Sequence, residues 1–308
     1  MSGAFLFGPV PSRRLGLSLG IDLNPRKVCC EDCLFCQIGR TTTCTLERRE
    51  WVDTRAVLAE LDTWADAGGK ADYVTLSGVG EPTLHSRFGD VLRHAHVRGF
   101  KTALLSNGAL MYLPEVRQDA ASADVVKVTL SAWDEESFRK IHRPALGLTF
   151  ARLLEGEQAL RQAIPGRLWV EVMLLRGIND APEQIEALAG LVASIQPDAV
   201  HLNTLSRPAP SGEDLHRVDD AWLHTISSWF TPVADVPIFK GRAESPLTMT
   251  DEAIVELLGR HPLSLSAWAR AAGISDAELE ARLAPLTAAG KIVFETDDSV
   301  RMIRARWS

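Results

Sequence analysis

The sequence predicts an α/β fold, a parallel sheet wrapped by helices, with a small C-terminal module of another kind. Three observations predict it. Short apolar, β-rich runs alternate with segments of helical periodicity between about residues 18 and 205. Those runs are apolar almost throughout, the pattern of strands covered on both faces. After Pro246 the pattern changes to short helices and a hairpin.

The elements follow in order. SLGIDL (18–23) reads as a strand, and TRAVLAELDTWADAG (54–68) as a helix stopped at Gly68–Gly69. ADYVTLSG (71–78) is a strand, and RFGDVLRHAHVRG (87–99) a helix closed by Gly99. KTALLSNG (101–108) is a strand leading to a short helix around 113–120, and DVVKVTLS (124–131) is the next strand. TFARLLEGEQALRQAI (149–164) is a helix ended by Pro165–Gly166, then LWVEVMLL (168–175) a strand. APEQIEALAGLVASI (181–195) is a helix with proline near its start, and AVHLNTL (199–205) the last strand. Six βα repeats make either a doubly wound sheet or a partial barrel, and both place chemistry at the C-terminal strand ends.

RPAPSGEDLHR, from 207, is loop-like; a helix (219–230) and DVPIFKG follow. DEAIVELLGRH, SLSAWARAAG and SDAELEARLAPLTAAG are helices, and KIVFETDDSVRMIRARW is a hairpin turning at Asp297–Asp298. That order predicts a winged-helix module. The expected domains are 1–240 and 246–308. Residues 246–308 carry seven basic and nine acidic side chains, a net −2, and the helix that would enter a groove starts with three acids. Phosphate contact requires the opposite sign, so the module reads as a protein-contact or lid element. Its basic wing (Arg301, Arg304, Arg306) is the feature that favours nucleic acid.

The 308 residues suit one large domain, or one large and one small, with 46% hydrophobic and 24% charged side chains. A net charge of −7 argues against broad binding to nucleic acid or anionic membrane. No apolar run approaches the roughly 18–20 residues that span a bilayer. MSGAFLFGPVPSRR has no charged region ahead of an apolar one, so no signal peptide is read and the expected location is the cytoplasm. Cysteines clustered in a reducing compartment point to a metal or catalytic site.

Four of the five cysteines lie in CCEDCLFC (29–36). Cys29, Cys33 and Cys36 give C-x3-C-x2-C, which suits a [4Fe–4S] cluster with one iron free of protein ligand. Cys30, Cys33 and Cys36 form a rival triple, and Cys30 or Cys44 can complete four ligands for a structural zinc.

This motif, with aromatic Phe35 before its last cysteine, resembles the cluster motif of radical SAM enzymes. FGPVPSRRLGLSLGIDLNPRKVCCEDCLFCQIGRT (7–41) resembles more closely the subgroup related to wybutosine synthases. The similarity continues through LSGVGEPTLH (76–85), LLSNG (104–108), KVTLSAWDEESFRKIHRP (127–144), VEVMLLRGIND (170–180) and HLNTLSRPAP (201–210). It covers roughly residues 5–240.

The resemblance implies a partial (β/α)6 barrel of the radical SAM type. It implies that Cys29, Cys33 and Cys36 bind the [4Fe–4S] cluster, with Cys30 a passenger, and that Phe35 lies by the cofactor. Gly78, Gly80, Glu81 and Pro82 are expected at the methionine amino group of S-adenosylmethionine (SAM). Ser106 and Asn107 are expected at its ribose or carboxylate. Ser131 stands where relatives often have Asp, and can contact ribose or substrate without charge. Glu171, an acid within an apolar strand, is costly unless paired; it and Asn203 are further cofactor candidates. Arg13, Arg14, Lys127, Arg143 and Arg207 are candidate anchors for an anionic substrate, and His201 is expected to pack.

The implied activity is reductive cleavage of SAM to a 5′-deoxyadenosyl radical that abstracts hydrogen from a substrate. A reductant such as ferredoxin or flavodoxin is the implied partner. Modification of a tRNA base and transfer of the aminocarboxypropyl group of SAM remain open. A redox-sensing regulator is the reading from another class.

Overall fold

The computed structural model describes residues 5–12, 14–205, 215–236, 246–247, 249–260, 263–297 and 300–306. Its main sheet has seven strands. β1 (Leu6–Ser12) and β2 (Gly16–Ile21) form an antiparallel hairpin. Val28–Cys29 (β3) and Thr43–Cys44 (β4) form a separate two-stranded parallel pair around the cysteine loop. After helix α1 (Thr54–Asp66) comes β5 (Tyr73–Leu76), then α2 (Phe88–Val97), β6 (Thr102–Leu105), α3 (Pro114–Ala120) and β7 (Val125–Thr129). Two helices, α4 (Glu135–His142) and α5 (Phe150–Ala163), precede β8 (Arg167–Leu174). Then follow α6 (Pro182–Ile195), β9 (Ala199–Thr204) and α7 (Asp220–Ile226).

The sheet order is β1-β2-β5-β6-β7-β8-β9, with every pair from β2 to β9 parallel. β1 and β9 are its two ends, so the barrel is partial, as expected. Strand β8 shows how the sheet divides its residues. Leu168, Val170, Val172 and Leu174 are buried in the main core with Leu153 and Leu160 of α5 and Ile185, Leu188 and Val192 of α6. Trp169, Glu171 and Met173 alternate with them and face inward. The apolar face of each helix thus seals the outside, and the inner face is left for chemistry.

Besides the two-residue strands β3, β4 and Leu263–Ser264, two longer elements went unforeseen. β1 carries Pro9 and Pro11, which argue against an interior strand; it is an edge, where proline is tolerated. Helix α4 is only eight residues long and has little apolar repeat. It forms because Asp134 caps it, accepting from Ser137 N (2.7 Å) while Ser137 Oγ accepts from Asp134 N (3.0 Å).

The C-terminal residues form α8 (Asp251–Arg260), β10 (Leu263–Ser264), α9 (Leu265–Ala272), α10 (Asp276–Ala288), β11 (Ile292–Asp297) and β12 (Val300–Ala305). The three strands make an antiparallel sheet in the order β10-β12-β11. These elements enclose their own apolar cluster, including Ile254, Trp268, Leu283 and Ile303, and Val10 of β1 joins it. The expected boundary between 240 and 246 lies outside the described residues, and so does the hairpin reversal at 298–299. No described helix is long and apolar enough to cross a membrane.

Candidate active site

The cysteine loop is held from two sides. On one side, β3 pairs with β4, and Lys27 O accepts from Thr42 N (3.1 Å). On the other, the loop caps α4. A helix leaves its last carbonyls without intrahelical partners. Here Ile141 O accepts from Leu34 N (2.9 Å), and His142 O and Arg143 O accept from Asp32 N (3.0 and 3.2 Å). Arg143 ends the helix in the left-handed conformation, φ 47°. Its backbone therefore anchors this loop, and it does not line the cavity described below.

The cysteines separate by environment. Cys29, Cys33 and Cys36 are half-buried, Cys30 is fully buried in the main apolar core, and Cys44 is exposed. Burial pushes the thiols of Cys29 and Cys33 well up, and negative charge on Glu81 and Glu31 beside Cys29, and on Glu31 beside Cys33, pushes the same way. Cys29 and Cys33 each interact electrostatically with Cys36, and Cys29 also acts on Cys33. Cys29 and Cys33 thus ionise against a compensating cation, and with the half-buried Cys36 beside them this donor set fits an iron–sulfur cluster held by three cysteines.

Two residues that the sequence reading passed over stand directly behind Cys33. Its Sγ is 3.2 Å from Glu31 Oε2 and 3.5 Å from His142 Nδ1. Glu31 Oε1 and His142 Nε2 are buried without a hydrogen-bond partner. Donor atoms of Glu31, Cys33 and His142 lie within 4.8 Å of one another, as ligands of a single metal ion would. Cys33 belongs to both this trio and the cysteine triple, so the two cannot be filled independently. The signal available in sequence was His142 in KIHRP, unassigned because its partner is 111 positions away.

Next to the cysteine loop, GVGEP and SNG are clamped together. Glu81 Oε1 accepts from Ser106 Oγ (2.8 Å), Thr83 Oγ1 (2.6 Å) and Thr83 N (3.1 Å), and Oε2 accepts from Asn107 N (2.8 Å). Burial pushes its carboxyl up and these bonds oppose that shift. Glu81 therefore already joins the ends of β5 and β6, with less capacity left for an ammonium group than an exposed acid has. Asn107 Nδ2 reaches Cys29 Sγ at 3.6 Å. The glycines permit close approach to protein backbone and side chains. A Cβ at Gly80 would lie 2.2 Å from Val28 O, and one at Gly78 (φ 149°) 2.2 Å from the Asp22 carboxyl carbon. Pro82 starts the buried turn that follows.

Inside the barrel, a cavity of about 340 Å³ runs from the cysteine loop to the β1–β2 turn. Phe35, Cys36, Gln37 and Met173 line it near the loop; Arg14, Leu15 and Trp169 line it by the turn. Between them stands an ion-pair network. Glu171 Oε2 accepts from Arg14 Nη1 (2.8 Å) and Asn203 Nδ2 (3.1 Å), and Glu171 Oε1 accepts from Lys127 Nζ (3.2 Å). Burial opposes the charge on Glu171, but Lys127 and Arg14 hold its carboxyl below the ordinary range. Trp169 packs edge-on against His201, their ring centroids 5.1 Å apart. Burial, reinforced by Arg14 and Lys127 against Glu171, pushes His201 down to about 3, so it is neutral at pH 7.

Arg14, Lys127, Glu171 and Asn203 thus meet, although the sequence reading divided them between cofactor and substrate. Ser131 does not join them. It is fully buried, and its hydroxyl accepts from Met173 N (2.9 Å), tying β7 to β8. Ser131 does not line the cavity, and its hydroxyl keeps a proton of its own to donate. Arg13 and Arg207 lie outside the described residues. Glu157 of α5 was also missed. Both its carboxylate oxygens are buried without a partner, and burial pushes the carboxyl well up.

The model of the Radical SAM superfamily matches residues 23–190. A UPF0026 protein of Synechocystis sp. is 32% identical over 76% of this chain and 84% of its own length. The UPF0026 protein MJ1312 of Methanocaldococcus jannaschii is 36% identical over 66% of this chain. A tRNA 4-demethylwyosine synthase of Pyrococcus horikoshii, SAM-dependent by name, is 25% identical over 51% of this chain and 48% of its own length. The chain spans less than two thirds of the first curated relatives it matches: 64% of MJ1312 and 43% of a Brachyspira hyodysenteriae protein named GTPase Obg. Among solved structures, TYW1 with a lysine-pyruvate adduct bound aligns over 74% of this chain and 76% of that one, with TM-score 0.53 and 18% identity. That likeness is one of fold.

Proposed function

Because the chain belongs to the radical SAM superfamily, and within it to the UPF0026 family, we propose that it abstracts hydrogen from a small substrate enclosed in the barrel cavity. The superfamily consists of enzymes that use a [4Fe–4S] cluster and SAM. Cluster and SAM, when bound, supply one-electron cleavage of SAM and with it a radical able to take hydrogen.

The chain's own residues have distinct parts in this reading. Cys29, Cys33 and Cys36 hold the cluster. Glu81, Ser106 and Asn107 brace the strand ends beside it. Phe35, Gln37 and Met173 face the cofactor, while Lys127, Glu171 and Asn203 face the substrate. A reductant such as ferredoxin or flavodoxin supplies the electron. The observation carrying the proposal is the continuity of one cavity from Cys36 to Arg14. A molecule there is close to the cysteine loop and to the polar groups of Lys127, Glu171 and Asn203. The size lies in the range of small-molecule sites.

The test is anaerobic reconstitution, addition of SAM and dithionite, and separation of the adenosine products. 5′-Deoxyadenosine that disappears in Cys29→Ala and persists in Cys30→Ala supports the reading. Methylthioadenosine in its place assigns aminocarboxypropyl transfer. Neither product, with zinc bound instead of iron and sulfide, overturns the reading. A second reading, modification of a tRNA base, is favoured by the similarity to the Pyrococcus synthase. The net charge of −7 weighs against it, and unmodified tRNA as substrate in the same assay decides it.

We propose that the C-terminal elements after Pro246 are a winged-helix module that contacts protein. Helix α10 starts with Asp276 and Glu278, a poor match to phosphate. Failure of the protein to shift DNA or tRNA at low salt is the expected outcome.

A further inference from the structure

We propose that the end of the cavity lined by Arg14 and Trp169, with His201 packed against Trp169, is an anion subsite that receives a carboxylate or phosphate group of the substrate. The proposal rests on the reading above that the cavity holds the substrate, and it names that substrate's chemical class.

The carrying observation is a cluster of unsatisfied buried nitrogens. Arg14 Nε and Nη2, Trp169 Nε1, and both ring nitrogens of His201 are buried with no hydrogen-bond partner. Native interiors pair nearly all such groups, so several orphans side by side require a reason. Arg14 and Trp169 line the same cavity, and His201 lies edge-on to Trp169.

Their chemistry is mainly donating. Guanidinium and indole nitrogens only donate, and a neutral imidazole brings one donor and one acceptor. Within Arg14, Nη1 is spent on Glu171 at 2.8 Å. The remaining pair, Nε and Nη2, is the side edge of the guanidinium, a fork that fits two oxygens of one carboxylate or phosphate. Nothing among the described residues occupies that fork.

The local charge agrees. Arg14 and Lys127 are two cations against the single carboxylate of Glu171. With His201 neutral, this cluster of Arg14, Lys127 and Glu171 keeps one net positive charge, on side chains that are largely buried. Uncompensated buried charge is unfavourable, and an anionic ligand removes the penalty. Glu171 then has a second effect. By holding Nη1, it aims the free edge of Arg14 and prevents the side chain from folding back.

The test is calorimetric titration of anaerobically reconstituted holoenzyme with malonate, inorganic phosphate and the neutral malonamide. The expected result is saturable binding of malonate or phosphate and none of malonamide; the tighter anion names the group. Arg14→Lys keeps the charge and loses the fork, and should weaken binding by about tenfold or more. Trp169→Phe keeps the packing and loses one N–H, and should weaken it by about threefold. The second variant keeps the test decisive if Arg14→Lys fails to fold. The subsite is overturned if neither anion binds, if malonamide binds equally well, or if the variants that fold bind like the parent. Formation of 5′-deoxyadenosine is measured on the same samples. SAM cleavage without anion binding sinks the subsite alone; anion binding without SAM cleavage sinks the catalytic reading and leaves the subsite standing.

Discussion

Glu31 and His142, 111 positions apart in the chain, meet at 3.0 Å directly behind the thiol of Cys33. Both side chains are removed from water, at 0% and 1% exposure. The pair joins the cysteine loop to the end of α4 by side chains, as the helix-capping bonds of Asp32 and Leu34 do by backbone. Groups that stand behind a metal ligand orient it, and their loss typically costs about 10–100-fold in metal affinity. His142→Ala should therefore retain iron and sulfide poorly while Cys33 itself is intact. Iron and sulfide per chain after desalting, together with the electron paramagnetic resonance of the reduced protein, measure this. Full cluster occupancy in His142→Ala would remove His142 from the site.

Cys30 sits in the apolar core, fully buried. Cys30→Ala should keep the cluster and lower stability by about 1–2 kcal/mol, the cost of a small cavity. Cys29→Ala should show the reverse, with the cluster lost. Thermal melts alongside iron content separate the two.

Glu171 accepts from Arg14, Lys127 and Asn203 at once. Glu171→Gln leaves two cations facing each other inside the barrel, and breaking such a buried pair costs about 3 kcal/mol. Combining it with Arg14→Gln should recover part of that loss. A double-mutant cycle in urea measures the coupling; strict additivity would show that the network contributes nothing as a unit.

His201 supplies a pH dependence. Arg14, Lys127, Arg167 and Glu171 act on it, and Asp235 lies 3.9 Å from its Nδ1. Its folded value, about 3, is below the ordinary value of 6.5, so between these the unfolded chain binds the extra proton. Stability from this group is full above about pH 6.5 and is lost as pH falls toward 3. His201→Gln should have a shallower fall in urea midpoint over that window than the parent. Equal slopes would mean that His201 titrates normally in the fold.

Arg14 and Glu171 show why the site was only partly legible in sequence. Each was a candidate, one as a substrate anchor and one as a buried acid needing a partner. Their pairing spans 157 positions and depends on the β1–β2 turn reaching under β8. Ser131, singled out because relatives often have Asp there, is fully buried, and its hydroxyl accepts from Met173 N of β8, a contact no local pattern announces.

Legible in the chain were the parallel sheet, its alternation of strand and helix from β2 to β9 apart from α4 and the short β3–β4 pair, and the placing of the cysteine loop, GVGEP and SNG at successive strand ends. These follow from local periodicity, glycine and proline punctuation, and close spacing along the chain. Which side chains face the cavity, that Cys30 belongs to the core, and that Glu31 stands with His142 and Arg14 with Glu171 came from the fold. Side chains on a strand alternate between faces, so a shift of one residue reverses every assignment. Contacts between distant segments depend on that register and on the curvature of the sheet, and neither leaves a periodic trace in the chain.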